Sequence, residues 1–380
     1  MNPTHSAKHV LLYAGEPGSA NFLRYLPPIC ADVALRSSLV GEGNGYGFLR
    51  DRGMDLEDVR DTDADQLLSR YRPSVLVSGT EMSPDAKGLA LVSACRERGI
   101  PTAAVADGSM MAHVRFRGHS TNPLHHFPDL LFVTEDATAK VYEELGAPRE
   151  SLMVTGHPHY QAVRERSPEL QKRAVRAMMR RRHFPDAPPG APLVLFVAEP
   201  EIERGDTSGL VGRFRGWSGN RRRTPLALEA LILALRDLDR DVALYIRPHP
   251  KNEEGDFAAY ADQVLGFCDG TDSAGVIAAA DLVVGISSSL LVEAPLVGTR
   301  CVSIRIREAD FTDLPEFARG YIEVLEDDTA LRRAIGLAVE APRDQPVEPP
   351  ALPDARHLLA NALMKLVQIA EPVRRAAGLG

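Results

Sequence analysis

The sequence has no apolar run of the roughly 18 residues that a membrane span needs. Its start, Met1-Asn-Pro-Thr-His-Ser-Ala-Lys-His-Val10, also lacks the apolar core of a signal peptide. A cytoplasmic protein is the expectation. Cysteine is scarce too. Cys30, Cys95, Cys268 and Cys301 stand far apart, with no CxxC pair and no histidine cluster at metal spacing. That pattern argues against a disulfide framework or a bound metal and for reduced, mostly buried thiols. An excess of positive charge is likewise absent: the formal net charge is −8. A general nucleic-acid binder needs a basic surface to neutralise phosphates, so that class is set aside, while a nucleotide in a local pocket is not. The basic strips Arg180-Arg-Arg182 and Arg221-Arg-Arg223 read as solvated helix and loop charge, with peripheral contact to anionic lipid as the alternative. No short repeat period appears, which rules out a solenoid.

What is present is an ordinary globular composition, 44% hydrophobic and 25% charged, over 380 residues. That length suggests about two to three domains. Short apolar runs alternate with longer amphipathic ones. His9–Ala14, Ser74–Ser78, Pro101–Ala106, Asp129–Val133 and Leu152–Thr155 read as strands. Helical stretches intervene, among them one from Phe22 and others over Asp63–Arg70, Asp85–Arg98 and Glu135–Leu145. Strands of four to six residues separated by helices of ten or more imply a parallel sheet covered on both faces. The glycines of Gly41-Glu-Gly-Asn-Gly-Tyr-Gly47 lack GxGxxG spacing and read as a turn.

Four prolines and a glycine in His183–Pro192 can continue neither element, so a domain boundary is expected there. The alternation restarts with strands at Leu193–Ala198, Val242–Ile246, Leu282–Gly285 and Arg300–Ile304. The long polar segment Glu199–Arg223, with the single tryptophan Trp217, has the length of a lid. After a proline-rich stretch, Ala355–Val367 is amphipathic and suits a closing helix. The expected architecture is α/β: two Rossmann-like, doubly wound domains facing a cleft. The first spans 1–185, the second 186–345, and a proline-rich linker with a C-terminal helix occupies 346–380. Open sheets of this kind bind ligands at their carboxyl strand ends.

Polar residues gather at those ends. The apolar strand ending at Gly285 runs through Ile286 into Ser287-Ser-Ser289 and then a helix. Free amides, the helix dipole and three hydroxyls suit a phosphate, although any one serine serves equally as an N-cap. Asp107-Gly108 ends another strand, where a carboxylate beside glycine suits a general base or a turn cap. Arg247-Pro-His249-Pro250 puts a guanidinium fork and a titratable ring on a stiff backbone, fit to hold or protonate a leaving phosphate. Glu293, one turn inside its helix, suits a ribose hydroxyl or a surface pair. Gly18, Ser19 and Asn21 either contact a ligand or make a tight turn. Glu81 and the Gly156–Tyr160 tip are further candidates for ligand contact, with His157 and His159 more consistent with structural roles.

A two-Rossmann layout with a C-terminal helix resembles the GT-B glycosyltransferases and the related sugar-nucleotide 2-epimerases. The Asp107-Gly108, His249-Pro250 and Ser287-Ser288 set resembles the motifs of bacterial sialyltransferases and polysialyltransferases, and in part those of capsule-polysaccharide transferases. The resemblance implies a metal-independent glycosyltransferase of surface polysaccharide synthesis. Its substrates would be a nucleotide-sugar donor and a carbohydrate or glycolipid acceptor, with no separate cofactor. Asp107 would be the base; His249, Ser287, Ser288 and Ser289 would grip the phosphate. Ala106 departs from the sialyltransferase pattern, which usually has a second acidic residue there. The 2-epimerases usually carry a Ser-Gly-Gly tip in place of Ser287-Ser-Ser289. A sugar-nucleotide epimerase or hydrolase, resembling UDP-GlcNAc 2-epimerase, is the alternative, and a non-catalytic sugar-nucleotide-binding protein is the third reading.

Overall fold

The computed structural model describes residues 8–200, 213–219, 221–238, 240–253, 255–268, 270, 272–307, 310, 314–340 and 347–376. The chain divides into two compact units, Met1–Gln161 with Leu352–Gly380, and Ala162–Ala351. Each is an α/β unit built on a parallel sheet, the class the alternation predicts.

Unit 1 holds β1 (His9–Ala14), β2 (Arg36–Gly41), β3 (Glu57–Asp58), β4 (Val75–Gly79), β5 (Thr102–Ala106), β6 (Leu130–Val133) and β7 (Leu152–Val154). They form a seven-stranded parallel sheet in the order β3-β2-β1-β4-β5-β6-β7. Alternate residues point to opposite faces, and both faces are covered, so the central strands are apolar throughout. Val10, Leu12, Val75 and Val77 pack into one cluster, and Leu11, Tyr13 and Leu76 into another. The helices are α1 (Pro17–Leu23), α2 (Leu26–Asp32), α3 (Gly43–Arg50), α4 (Ala64–Tyr71), α5 (Lys87–Glu97), α6 (Ala112–Arg115), α7 (Asp136–Glu144) and α8 (Pro158–Leu170). The unit boundary falls inside α8, upstream of the proline-rich run at His183–Pro192.

Helix α3 corrects one expectation, since the glycine-rich stretch after β2 is mostly helical rather than a turn. Its glycines act by close approach. A Cβ at Gly45 would lie 2.6 Å from the Gly15 carbonyl carbon and 2.8 Å from Ala14 O, so only glycine lets α3 rest against the end of β1.

Unit 2 holds α9 (Arg173–His183), β8 (Leu193–Val197), α10 (Arg223–Arg236), β9 (Ala243–Arg247), β10 (Gly266–Phe267), α11 (Ser273–Ala279), β11 (Leu282–Gly285), α12 (Ser289–Val297), β12 (Arg300–Ile304), α13 (Glu316–Arg319), β13 (Glu323–Leu325) and α14 (Asp328–Glu340). Its six-stranded parallel sheet runs β10-β9-β8-β11-β12-β13. Val194, Phe196, Leu244, Ile246, Leu282 and Val284 point to one face, against Leu228 and Leu231 of α10.

The final helix, α15 (Ala355–Ala376), belongs to unit 1. Leu359, Ala362, Leu363, Leu366 and Val367 recur at helical spacing and are buried in the first sheet's core cluster. All four cysteines are free and buried. Among the described residues, no helix is long and apolar enough to cross a membrane.

Candidate functional site

In both sheets the strand order reverses between two neighbouring strands, β1 and β4 in unit 1, β8 and β11 in unit 2. Ligands of open α/β sheets bind beyond the carboxyl ends of such strands. Several ionisable side chains stand at or beside those two points.

In unit 1 the chain leaves β1 at Gly15-Glu16 and β4 at Thr80-Glu81. The Glu81 carboxyl lies against Gly15, and its Oε1 is enclosed with no hydrogen-bond partner among the described residues. Burial, then the nearby carboxylates of Glu16 and Glu42, push its pKa from the ordinary 4.5 up to about 7. The Tyr13 hydroxyl and the Gly88 amide partly oppose this by favouring the charged form. Tyr13, fully buried in β1, donates to Glu42 Oε1 at 2.8 Å. Glu42 in turn pairs with Lys87 Nζ, which also donates to Arg60 O at 3.2 Å. An ion-paired carboxylate, a buried phenol and a carboxyl that titrates near neutrality therefore follow one another at the sheet edge.

Asp107 stands one strand further along. Its Oδ1 accepts from Arg115 Nη1 at 2.9 Å, and the same nitrogen donates to Thr80 Oγ1 at 2.7 Å. Arg115 Nε donates to Met110 O at 3.0 Å, so α6 exists largely to place a buried guanidinium beside Asp107. A Cβ at Gly18 would lie 2.0 Å from Asp107 Oδ2, which explains glycine at the second position of α1. Nothing among the described residues lies within 4 Å of a Cβ built at Gly108. Asn21 is half-buried on α1. Ser19 is buried, its hydroxyl donating to Glu16 O at 3.2 Å, which is a helix-start contact. His157 and His159 are buried as well. His157 packs on Phe22 and Tyr160, and His159 Nδ1 meets Arg24 Nη2 at 2.9 Å and Tyr25 Oη at 3.0 Å.

In unit 2 the three serines divide their labour. Ser288 is the N-cap of α12, its hydroxyl accepting from Leu290 N at 3.3 Å, while Ser289 is the exposed first helical residue. Ser287 is already engaged: its amide donates to Glu199 Oε1 at 2.5 Å and its hydroxyl to Glu199 Oε2 at 2.9 Å. A carboxylate from the end of β8 thus occupies the place that the sequence suggests for a phosphate. Glu293 is 2% exposed and accepts from Ser273 Oγ at 2.6 Å, so it joins α12 to α11 and forms no surface pair.

His249 closes a small turn: its amide donates to Asn252 Oδ1 at 2.8 Å, and its Nδ1 accepts from Lys251 N at 3.0 Å. Nδ1 is an acceptor, so the ring proton sits on Nε2. Burial, then the charge of Lys251, pushes the ring's pKa down to about 4. The imidazole is therefore neutral at physiological pH and can donate to a phosphate through Nε2, but it is a poor general acid there. Arg247 Nη2 donates to Gly270 O at 2.7 Å, and Pro250 is exposed. Arg223 departs most from expectation. It is 2% exposed rather than part of a solvated strip, although Arg221 and Arg222 are exposed. Most of the expected lid lies outside the described residues.

A cavity of about 430 Å³ occurs in unit 2 at the opposite, amino ends of β11 and β12. Two of its arginines are structural. Arg176 Nε donates to Ala278 O at 2.9 Å, closing the end of α11, and Arg180 Nη1 pairs with Asp281 at 3.0 Å. The strand-tip clusters, a titrating carboxyl in unit 1 and anion-binding donors in unit 2, are the better candidates. Among the described residues no cluster of histidine, cysteine, aspartate and glutamate could hold a metal ion.

No protein-family model matches the chain, and no curated protein matches it in sequence. Its fold does match solved structures over nearly its whole length. UDP-GlcNAc 2-epimerase from Neisseria meningitidis bound to UDP-GlcNAc superimposes with a TM-score of 0.63 at 12% identity, covering 94% of this chain and 100% of that one. The Staphylococcus aureus MnaA–UDP structure gives 0.66 at 14% identity, covering 95% and 97%. UDP-GlcNAc 2-epimerase of Methanocaldococcus jannaschii in complex with UDP-GlcNAc and UDP gives 0.63 at 13%, covering 94% and 99%. This chain therefore has the two-domain α/β fold of these epimerases, which is GT-B-like. The transferase reading is overturned, because the neighbours are sugar-nucleotide epimerases. The sialyltransferase likeness rested on motifs two or three residues long, and residues that such short motifs pick out also serve as caps and ion pairs in any strand–helix turn.

Proposed function

We propose that this protein is a sugar-nucleotide 2-epimerase, acting without an acceptor on a UDP-linked amino sugar or a close relative. The observation that carries the reading is the whole-length likeness to enzymes of that activity, among them one bound to UDP-GlcNAc that aligns with 94% of this chain. The chemistry of the strand tips agrees. Inverting the carbon next to the anomeric centre requires its C–H bond to break, the proton passing to a base while the C–H electron pair forms a double bond to the anomeric carbon and the anomeric C–O pair leaves with UDP. The reverse addition restores the bond to UDP and delivers a proton to the other face. Glu81, with a pKa of about 7, gives and takes a proton at neutral pH with little driving force wasted either way. Asp107, ion-paired with Arg115, is a second carboxylate at the same sheet edge and suits the acceptor of a sugar hydroxyl.

The tips of the second sheet suit the nucleotide phosphates. His249 donates from Nε2 as a neutral ring, and the start of α12 carries the positive end of the helix dipole. The nucleotide sugar is then the only small molecule required. The test is incubation with UDP-GlcNAc in deuterated water, followed by NMR. The expected product is the 2-epimer carrying deuterium at carbon 2. Unchanged substrate, or a requirement for an acceptor, would remove the reading.

A further inference from the structure

Four side chains form a closed cluster where the second sheet reverses. Glu199 leaves the end of β8, Ser287 the end of β11, Arg223 opens α10, and Asp310 follows β12. One nitrogen, Arg223 Nη2, reaches Glu199 Oε2 at 3.1 Å, Ser287 Oγ at 3.0 Å and Asp310 Oδ1 at 2.8 Å. The Ser287 amide and hydroxyl complete the grip on Glu199. These donors are of the kind that hold a phosphate: a backbone amide at a strand–helix turn, a hydroxyl and a guanidinium. In this protein a carboxylate holds them.

We propose that this cluster is a phosphate seat kept shut by Glu199, whose carboxylate a phosphate group of the incoming nucleotide displaces from Ser287 and Arg223. The inference rests on the reading of the chain as a nucleotide-sugar enzyme. Three observations favour exchange over a purely structural role for Glu199. Its backbone is fixed independently, with Glu199 O accepting from Thr224 Oγ1 at 3.0 Å, so the side chain can rotate while the strand end stays in place. Arg223 keeps a partner when Glu199 leaves, because Asp310 holds it from the other side and is itself anchored by the amides of Ile306 and Arg307 at 3.0 and 2.6 Å. Ser287 and Ser288 are only half-buried and Ser289 is exposed, so solvent reaches the seat from the α12 side.

Charge is consistent with a one-for-one exchange. On exchange the Arg223 guanidinium gives up the Glu199 carboxylate and keeps Asp310. A phosphate inside a nucleotide diphosphate sugar carries one negative charge, as a carboxylate does. The seat thus discriminates: a ligand without a phosphate at this position has nothing with which to displace Glu199.

A binding site that is open only part of the time shows an apparent affinity reduced by the open fraction. Removing the carboxylate should therefore tighten phosphate binding. The experiment is calorimetric titration of the full-length protein and of Glu199→Ala with UDP and, separately, with inorganic phosphate. Glu199→Gln is the second variant, which keeps the size of the side chain and an acceptor oxygen in case the alanine protein does not fold. The expected result is at least about tenfold tighter UDP binding by Glu199→Ala, with Glu199→Gln in between. If inorganic phosphate tightens but neither protein binds UDP, the seat stands and the nucleotide-sugar reading falls. If neither probe binds more tightly to either variant, or neither binds at all, the seat is refuted, even for a protein that epimerises UDP-GlcNAc.

Discussion

Glu81→Gln removes a proton-binding site while leaving the shape of the β4 tip almost unchanged, and its effect on stability follows from the altered titration. Glu81 titrates at about 7 in the folded protein against the ordinary 4.5, so between those values the native state holds a proton that the unfolded state has released. Stability then falls as pH rises across that window, because the native protein must ionise a carboxyl that is enclosed and flanked by two other carboxylates. Each tenfold change in proton affinity is worth about 1.4 kcal/mol, so the whole effect is about 3 kcal/mol, most of which falls between pH 5 and pH 8. The glutamine variant has no such titration. Relative to the wild type it should therefore gain about 2–3 kcal/mol on going from pH 5 to pH 8, read as the change in the difference of their urea-unfolding free energies. The same substitution should remove the limb of the kcat/KM profile with an apparent pKa near 7 and lower turnover by about a hundredfold or more. A stability difference that stays flat across this pH range would show that Glu81 is ionised normally, and the acid–base assignment would go with it.

Gly18→Ala places a Cβ on the Asp107 carboxylate and forces it away from Arg115. It should cost about 1–3 kcal/mol in thermal or urea unfolding and lower kcat more than it raises KM. His249→Ala should weaken UDP binding by roughly tenfold in calorimetry through loss of one hydrogen bond to a charged group. Because the ring titrates near 4, the loss should be the same at pH 6 and pH 8, and a loss confined to low pH would contradict the neutral-donor role. Leu363→Ala, at a fully buried position of α15, should destabilise the protein by about 2–5 kcal/mol. A near-neutral effect would mean that α15 does not belong to the first unit's core.

Much of the fold can be read from the chain because parallel strands buried on both faces are short, apolar and regularly spaced. The strands at His9–Ala14, Leu193–Val197 and Leu282–Gly285 are of this kind. The helix at Ala355–Ala376 is likewise visible in its apolar stripe. Helix α3 is hidden because its glycines serve close packing against Gly15, which no local preference encodes. The strand tips can be located, but not what each side chain does there. Ser287 reads as a free hydroxyl until Glu199, 88 residues earlier, is seen to occupy it. Arg223 reads as surface charge until Asp310 is placed beside it. Tyr13, Lys87 and Arg115 give no signal in the sequence for the same reason, since each acquires its role from a partner at least eight residues away. Short motifs at these tips point to transfer chemistry, whereas the whole fold is the one shared with sugar-nucleotide epimerases, the alternative that the two-Rossmann layout already suggests.

The most direct test of the central claim is proton NMR of the purified protein with UDP-GlcNAc in deuterated water and no acceptor. The 2-epimer should accumulate with deuterium at carbon 2, and Glu81→Gln should lose most of this exchange. Substrate that keeps its carbon-2 proton after prolonged incubation, with no epimer formed, would contradict the epimerase reading.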